Sequence, residues 1–397
     1  MADLASPLIS EHASTERTPG TLQGVLLVAM SCLAVLGAVL LAPVLPAMQD
    51  AFAGTPGVAV LVPVSLTIPA LMIGLLSPFA GSIIDRLGRK RLLVGALVAY
   101  GFLGMAPLVL DSLPAIVATR AGVGITEAAI MTCCTTLIVD YWTGDSRAKW
   151  LGMQTVGAAV GATLFFAAGG LLGAVSWRAP FWLYAVAFLF AVLAARYIWQ
   201  PVKPAAEAHR EIPPFPFKVL LVPVLITVFG GVVFYTPIVE VSFVLDDAGV
   251  KSTAIIGAVG ALASLSTAIG GIAFGRLGRY STRTLLSVAF TLAGLGLIVF
   301  ALADSVPLIV VGVVVACIGT GLLLPTLLTW AVSRLEFDER GRGTGLWTAA
   351  MFIGQFFCPL LVLALTGLLS GLSAALVVVG AVSLAMVLLS RAVVRDV

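Results

Sequence analysis

Long apolar runs separated by short polar loops dominate this chain. A helix of about 20 apolar residues crosses a bilayer core, so each run is predicted to be a membrane-spanning helix. Runs longer than about 25 residues are expected to be tilted or to extend beyond the hydrocarbon. The pattern predicts twelve spans, near 22–48, 58–84, 91–110, 112–141, 147–174, 178–200, 217–245, 252–275, 282–303, 305–333, 341–369 and 371–394.

The longest internal polar stretch divides the twelve spans into two sets of six. It covers residues 201–216, where several prolines and charges disfavour helix. The polar segment 1–20 is predicted to be a disordered cytoplasmic tail without the pattern of a cleaved signal peptide. The predicted domains are therefore this tail, a six-helix bundle at 21–200, a cytoplasmic linker at 201–216 and a second six-helix bundle at 217–397.

A sequence repeat supports this division. GSIIDRLGRKR at 81–91 returns in weaker form as GIAFGRLGRYS at 271–281, and each copy follows the second span of its half. The second copy keeps the glycines and basic residues, but Gly275 stands where the first copy has Asp85. We therefore expect two halves with a similar fold, of which the first carries most of the charge chemistry.

The composition excludes a soluble protein and indicates an orientation in the membrane. Hydrophobic residues make up 60% of the chain and charged residues 10%, with a mean hydropathy of +1.13. With both termini in the cytoplasm, only Arg178 and Lys251 among the basic residues fall outside, while Arg120 falls within a span. The positive-inside rule therefore predicts a multi-pass protein of the cell membrane, most simply the bacterial inner membrane, and the net charge of +3 requires no nucleic-acid partner.

The loop after the second span carries a charged motif of the form G-x-x-x-D-R-x-G-R-K. Its members are Gly81, Asp85, Arg86, Gly88, Arg89 and Lys90. Together with its echo and the six-plus-six topology, this motif resembles the signature of the Major Facilitator Superfamily, over about residues 20–395. The resemblance implies an all-α integral membrane fold of two pseudo-symmetric six-helix bundles, which rock about a central site to give alternating access.

The same resemblance implies a cytoplasmic latch, meaning a set of contacts that closes the cytoplasmic end. Asp85 can face the partly positive start of the eleventh helix, around 341–345, and Arg89 is expected to pair with Asp140 at the end of the fourth span. The alternative is that these charges only set topology and cap helices. The predicted latch residues are Gly81, Asp85, Arg86, Gly88, Arg89 and Asp140.

A second charged pair lies inside the fourth span. Arg120 and Glu127 are separated by about two helical turns, so they share a face about 10 Å apart along the axis. Ionisable groups inside a membrane are costly and generally face a cavity. Glu127 is predicted to carry a proton and Arg120 to modulate it, with a structural ion pair as the alternative. The R-x-x-x-G pattern at Arg120–Gly124 resembles proton-coupled drug antiporters, and the later Glu-Ala resembles the spinster-type branch, whose cargo includes lysolipids.

Few other polar residues interrupt the spans. Glu240, near the outer end of the seventh span, is predicted to be a gate or substrate contact, with an interfacial carboxylate as the alternative. The Trp177–Arg178 pair is predicted to be a structural feature of an outer loop. Further candidates for the substrate cavity, each of which can also be a packing residue, are Gln355, Gln154, Tyr235, Trp330 and Trp347.

These features predict a proton-coupled secondary transporter that exports an amphipathic or weakly charged small organic molecule by antiport. Ala162 stands where antiporters often carry a proline, which weakens the antiport interpretation. The alternatives are proton symport or facilitated uptake of a small metabolite, spinster-like lysolipid transport, and a non-transporting receptor on the same fold. Without catalytic or ATP-binding motifs, we expect no enzyme, cofactor or metal site. The expected partners are the substrate, protons and the lipid bilayer, and the expected state is a monomer.

Overall fold

The computed structural model describes residues 18–201, 217–336, 339–369 and 371–394, without the side chain of Asp85. Within these residues, twelve helical segments have the length and hydropathy needed to cross a membrane. Every regular element among them is a helix. The all-α fold with twelve spans, expected from the apolar runs, is therefore confirmed, whereas nearly all of the predicted tail and linker lies outside the described residues.

The first half contains six spans that begin and end within a few residues of the prediction. The first span is divided into α1 (Thr21–Ser31), α2 (Leu33–Val39), a 3-10 turn (Ala42–Val44) and α3 (Leu45–Ala51). The second combines α4 (Val58–Leu76), a 3-10 turn (Ser77–Phe79) and α5 (Ala80–Leu87). The other four are α6 (Arg89–Met105) with a 3-10 turn (Ala106–Leu108), α7 (Leu113–Tyr141), α8 (Gly144–Gly173), and a 3-10 helix (Ala179–Ala185) that continues as α9 (Val186–Tyr197).

The second half has six continuous helices. A glycine at Gly371, whose φ of 133° is unfavourable for other residues, separates the last two of them. The six are α10 (Phe217–Asp247), α11 (Thr253–Leu277), α12 (Thr282–Ala301), α13 (Val306–Val332), α14 (Arg340–Leu368) and α15 (Leu372–Val393).

Because successive spans run in opposite directions, the basic loops meet at one end of the molecule. We call this the arginine-rich end; it is defined by Arg89, Arg147, Arg279, Arg283 and Arg340, which lie at or beside helix termini there. The other end, which holds the loops that follow α3, α8 and α10, is called the opposite end.

Glycines let the two halves approach closely at the opposite end. A side-chain carbon added to Gly170 on α8 would lie 2.8 Å from Cα of Gly257 on α11. The Thr253 hydroxyl on α11 also donates a hydrogen bond to the Gly170 carbonyl, at 2.9 Å. Small residues permit such backbone contact between membrane helices, where lipid gives no hydrophobic drive for association. The fifth and eighth spans therefore form one junction between the halves.

A second junction lies toward the arginine-rich end. A side-chain carbon added to Gly74 on α4 would lie 3.2 Å from the Ala349 carbonyl oxygen and 3.2 Å from the Ile353 side chain, both on α14. Further along, Gly345 at the start of α14 lies beside Ser77 and Pro78. The second and eleventh spans therefore meet along the part of their length that precedes the charged motif.

Arg178 joins two loops at the opposite end. Its guanidinium lies over the Trp177 ring at 4.6 Å and donates to the Asp111 carboxylate at 2.6 Å and to the Leu110 carbonyl at 3.0 Å. These contacts tie the loop between the third and fourth spans to the loop between the fifth and sixth. The arrangement fits a structural role for the Trp177–Arg178 pair.

Candidate functional site

Arg120 lies on α7 in the centre of the first half and is fully buried. Its Nε donates to the Ser65 carbonyl on α4 at 3.1 Å, and its Nη1 donates to the Tyr184 hydroxyl at 2.5 Å. Its Nη2 donates to the Gly37 carbonyl on α2 at 2.8 Å. A guanidinium presents donors in a fixed fork, so one side chain binds acceptors on three neighbouring elements at once.

Glu127 lies on the same face of α7, with 1% of its surface exposed. Its Oε1 has no hydrogen-bond partner, and it lies so close to Gly37 that any side chain at that position would collide with it. The carboxyl is also close enough to Arg120 and Tyr100 to interact with them electrostatically. Burying a neutral carboxyl group without a partner costs far less free energy than burying a carboxylate. This position therefore suits a group that binds a proton.

The ion pair that the sequence left open as an alternative is not formed. Arg120 makes its hydrogen bonds with Ser65, Tyr184 and Gly37 rather than with Glu127, and the two charged groups form no salt bridge. The two residues share a helix face, as their spacing predicts, but they are held by different partners. In this structure the guanidinium is therefore held by groups other than the Glu127 carboxyl.

The break in the first span supplies the oxygens that surround this site. The last four carbonyls of a helix lack partners within the helix, and α2 ends at Val39. Of these carbonyls, Gly37 O accepts from Arg120 and Ala38 O accepts from the Tyr235 hydroxyl at 2.5 Å. Hydropathy did not predict the break in the first span, because the apolar run is continuous. The residue that could have indicated the break is Pro43, which has no N–H group to donate to a helix.

Two tyrosines complete the cluster and were missed by the sequence analysis. Tyr184 accepts from Arg120, and Tyr100 donates to the Leu33 carbonyl at 2.7 Å. Their rings lie 5.0 Å apart, and both side chains are fully buried. A single tyrosine in an apolar span is a weak signal, since only a buried hydroxyl needs a partner. We call Arg120, Glu127, Tyr100, Tyr184 and the end of α2 the Arg120 cluster.

Glu240 is buried among the helices of the second half. Its side chain on α10 is 5% exposed, and the described residues offer it no salt bridge. The thiol of Cys358 on α14 is close enough to interact with it. Thr236, one turn earlier on α10, contacts the same sulfur at 3.5 Å. This carboxyl group is therefore a second buried ionisable position, away from any cation that the structure describes.

The other cavity candidates lie in different places. Tyr235 reaches the Arg120 cluster, and Gln355 is buried on α14. Gln154 instead donates to the Thr135 hydroxyl at 3.0 Å and thereby joins α7 to α8. Trp330 and Trp347 lie in the packing of the second half, and the buried indole N–H group of each has no hydrogen-bond acceptor. The structure therefore brings one of these five candidates to the Arg120 cluster.

The charged motif at the arginine-rich end contains the expected contact between Arg89 and Asp140. Arg89 Nε lies 2.6 Å from Asp140 Oδ2, and both side chains are largely shielded from solvent. The chain turns at Gly88, whose φ is +81°, and Gln200 then accepts a hydrogen bond from the Lys90 N–H at 3.1 Å. The segment immediately before the linker is thus attached to the motif.

Two other expectations for the motif have different outcomes. Gly81, predicted as a latch residue, has open space where a side chain would be, so this glycine makes no close helix contact in the structure. The side chain of Asp85 lies outside the described residues, and its contact with the start of α14 stays a prediction. Arg86 is exposed at the end of α5. The latch role of all these residues therefore remains a hypothesis, beside the observed pairing of Arg89 with Asp140.

Twelve spans in two halves, with ionisable groups buried between the helices, are typical of a membrane transporter. The sequence profile of the Major Facilitator Superfamily matches residues 27–277 and 224–396. The chain belongs to this superfamily, as its motif suggested.

Individual relatives agree with this assignment. The chain is 27% identical to the multidrug efflux protein YfmO of Bacillus subtilis (strain 168) over 338 residues, which cover 84% of this chain and 83% of that protein. The fold resembles the D-xylose-proton symporter, with a TM-score of 0.78 at 15% identity, covering 95% of this chain and 99% of that one. It also resembles a bacterial homologue of the human lysosomal transporter spinster in an inward-facing, occupied conformation, with a TM-score of 0.75 at 16% identity, covering 94% and 96%. These likenesses show the fold.

Proposed function

We propose that this protein couples proton movement to the export of an amphipathic or weakly charged small organic molecule. The observation that carries the proposal is Glu127, a buried carboxyl with an unpartnered oxygen beside a guanidinium that is bound to other groups. A related protein of similar length is named a multidrug efflux protein, which favours export. Proton antiport follows from export, because protons that run down an inward gradient enter the cell while the substrate leaves it.

Glu127 and Arg120 would act as follows. With a proton on Glu127, the neutral carboxyl tolerates its apolar place and Arg120 stays bound to the Gly37 carbonyl. Loss of the proton creates a buried negative charge two turns from a positive one, which attracts the guanidinium toward Glu127. The hydrogen bonds that Arg120 makes to α2 and α4 would then weaken. Protonation thus changes the contacts between spans, which is what coupling requires.

The second half would contribute mainly to cargo choice. Glu240 and Gln355 are buried polar groups on α10 and α14, and the buried indole N–H groups of Trp330 and Trp347 have no hydrogen-bond acceptor. Tyr235 reaches the Arg120 cluster from the second half, whereas Gln154 is bound to Thr135. Such a lining, with few fixed charges, suits an amphipathic or weakly charged molecule. Lysolipids fit this description, and uptake of a small metabolite by symport is the alternative direction.

The orientation and the latch complete the proposal. We place the arginine-rich end in the cytoplasm, on the positive-inside rule, in a monomer of the bacterial inner membrane with both termini inside. The Arg89–Asp140 pair, the turn at Gly88 and the Asp85 carboxylate would then close the cytoplasmic end. This closure would alternate with closure at the opposite end.

The experiment uses purified protein in proteoliposomes with an imposed pH gradient. Ethidium, a lipophilic cation, and a fluorescent lysophosphatidylcholine serve as the two probes of flux. We expect flux of at least one probe to follow the gradient, and Glu127→Gln to abolish that dependence because the amide cannot exchange a proton. Glu336→Gln, the same change at an exposed position, is the control. Flux through Glu127→Gln that still follows the gradient would contradict the assignment.

A further inference from the structure

Two consecutive carbonyls at the end of α2 are bound from opposite halves of the molecule. Gly37 O accepts from Arg120 of the first half, and Ala38 O accepts from Tyr235 of the second half. Both belong to the last turn of α2, a seven-residue helix that ends at Val39. The two carbonyls belong to adjacent residues that are linked by a planar peptide unit, so a displacement of one carbonyl displaces the other.

Tyr235 is well placed to sense such a displacement. Its side chain is 2% exposed, and it interacts electrostatically with Glu127, Arg120 and Tyr184. Among the described residues, the structure gives two hydrogen bonds that join the halves through a side chain: this one, and the bond from Thr253 to the Gly170 carbonyl at the opposite end. Only the Tyr235 bond reaches the Arg120 cluster.

We propose that Tyr235 is the positioning residue through which protonation of Glu127 controls closure of the opposite end. The proposal rests on the proposed function, since it needs Glu127 to gain and lose a proton. With the proton bound, Arg120 holds Gly37 and Tyr235 holds Ala38, so the halves stay joined. When the proton leaves, Arg120 turns toward Glu127, the end of α2 is released, and the Tyr235 bond to Ala38 breaks.

The groups around Glu127 allow this sequence of events. Arg120 is the cation close enough to interact with it, on the same helix. The tyrosines close enough to interact with it are Tyr100 on α6, Tyr184 on the 3-10 helix before α9, and Tyr235 on α10. The facing segment of the first span presents Gly37, which has no side chain to separate the carboxyl from the helix. Arg120 is therefore the group that an ionised Glu127 would draw away from α2.

The test measures the distance across the opposite end by electron spin resonance. Spin labels are attached at Val175→Cys, after α8, and Leu368→Cys, at the end of α14, where the native side chains are 82% and 80% exposed. The fraction of open molecules is recorded in lipid nanodiscs over a range of pH. Four proteins are compared: the labelled parent, Glu127→Gln, Tyr235→Phe, and Tyr280→Phe, an exposed tyrosine that serves as control.

We expect the parent to open as the pH rises and Glu127→Gln to stay closed. Tyr235→Phe removes one buried hydrogen bond and should raise the open-to-closed ratio roughly two- to tenfold at low pH. At high pH, where the parent has already lost this bond, the same variant should match the parent. Tyr280→Phe should follow the parent throughout.

The two hypotheses fail in different ways. A Tyr235→Phe effect that is absent, or equally large at every pH, would show that this bond is not linked to Glu127 and would overturn the proposal. A Glu127→Gln profile that matches the parent would instead contradict the proposed function, whatever Tyr235→Phe does. Because Phe keeps the ring and its packing, misfolding is not expected to obscure the comparison.

Discussion

At the scale of single residues, Arg120 shows how a buried charge is stabilised without an opposite charge as its direct partner. Its three hydrogen bonds go to two backbone carbonyls and one hydroxyl, on three elements besides its own. Burying a charge is tolerable only when such partners replace water. The two carbonyls are available because α2 ends beside the site and because α4 passes it at Ser65.

Arg120→Lys tests this account. A lysine has one compact ammonium group, which cannot reach acceptors on three elements in the planar arrangement of a guanidinium. We expect it to lose at least one charged hydrogen bond and to lower the free energy of unfolding by about 3 kcal/mol. Thermal unfolding of the purified protein in detergent provides the measurement. Arg279→Lys, at an exposed arginine, should unfold like the parent, and an unchanged Arg120→Lys would mean that the bonds are dispensable.

The residue-scale contacts differ in how far the sequence could predict them. Arg89 and Asp140 are charged residues at helix ends within a recognisable motif, and their expected contact is present at 2.6 Å. The bond between Tyr235 and Ala38 joins residues 197 positions apart, and its acceptor is a carbonyl that every residue possesses. A backbone acceptor of this kind cannot be recognised from the amino-acid sequence. The two carbonyl partners of Arg120, on Ser65 and Gly37, were missed for the same reason.

At the scale of helices, hydropathy predicts where a span begins and ends but not whether it is continuous. The thickness of the hydrocarbon fixes the length of an apolar run, so all twelve spans were placed within a few residues. The first span satisfies the same rule with four shorter pieces. Its breaks depend on side chains from other spans that donate hydrogen bonds to the freed carbonyls, as Arg120 and Tyr235 do at the end of α2.

The contact between α8 and α11 gives a prediction at this scale. A side chain at Gly170 would collide with Gly257 and with the Thr253 carbonyl, so Gly170→Val should force the two helices apart. Overpacking of this kind costs about 1–3 kcal/mol, enough to raise the open-to-closed ratio at the opposite end roughly tenfold. The spin-label pair at positions 175 and 368 measures this open-to-closed ratio. Gly152→Val, on the same helix but facing open space, is the control.

A Gly170→Val protein whose distance distribution equals that of Gly152→Val would contradict this interpretation. It would mean that the helices adjust locally and that the junction does not limit opening. An equal change in both variants would point to the loss of glycine flexibility within α8 rather than to contact with α11.

At the scale of the whole molecule, the two junctions lie toward different ends. The fifth and eighth spans meet at the opposite end, through Gly170 and Gly257, while the second and eleventh spans meet toward the arginine-rich end, through Gly74. Alternating access by rocking of two bundles requires that loosening one end tightens the other. The two junctions should therefore respond in opposite senses to added bulk.

Gly74→Val tests this relation. The valine would press on the Ala349 carbonyl and on Ile353, so we expect the arginine-rich end to open and the opposite end to close further. Spin labels at the exposed positions Ala148→Cys and Gly278→Cys report on the arginine-rich end, beside the pair at 175 and 368. Gly170→Val should have the reverse effect on both spin-label pairs: the opposite end should open and the arginine-rich end should close further. If each substitution changed only the distance nearest to it, the two halves would not move as rigid units, and coupling between Glu127 and the far ends would have to pass through individual helices instead.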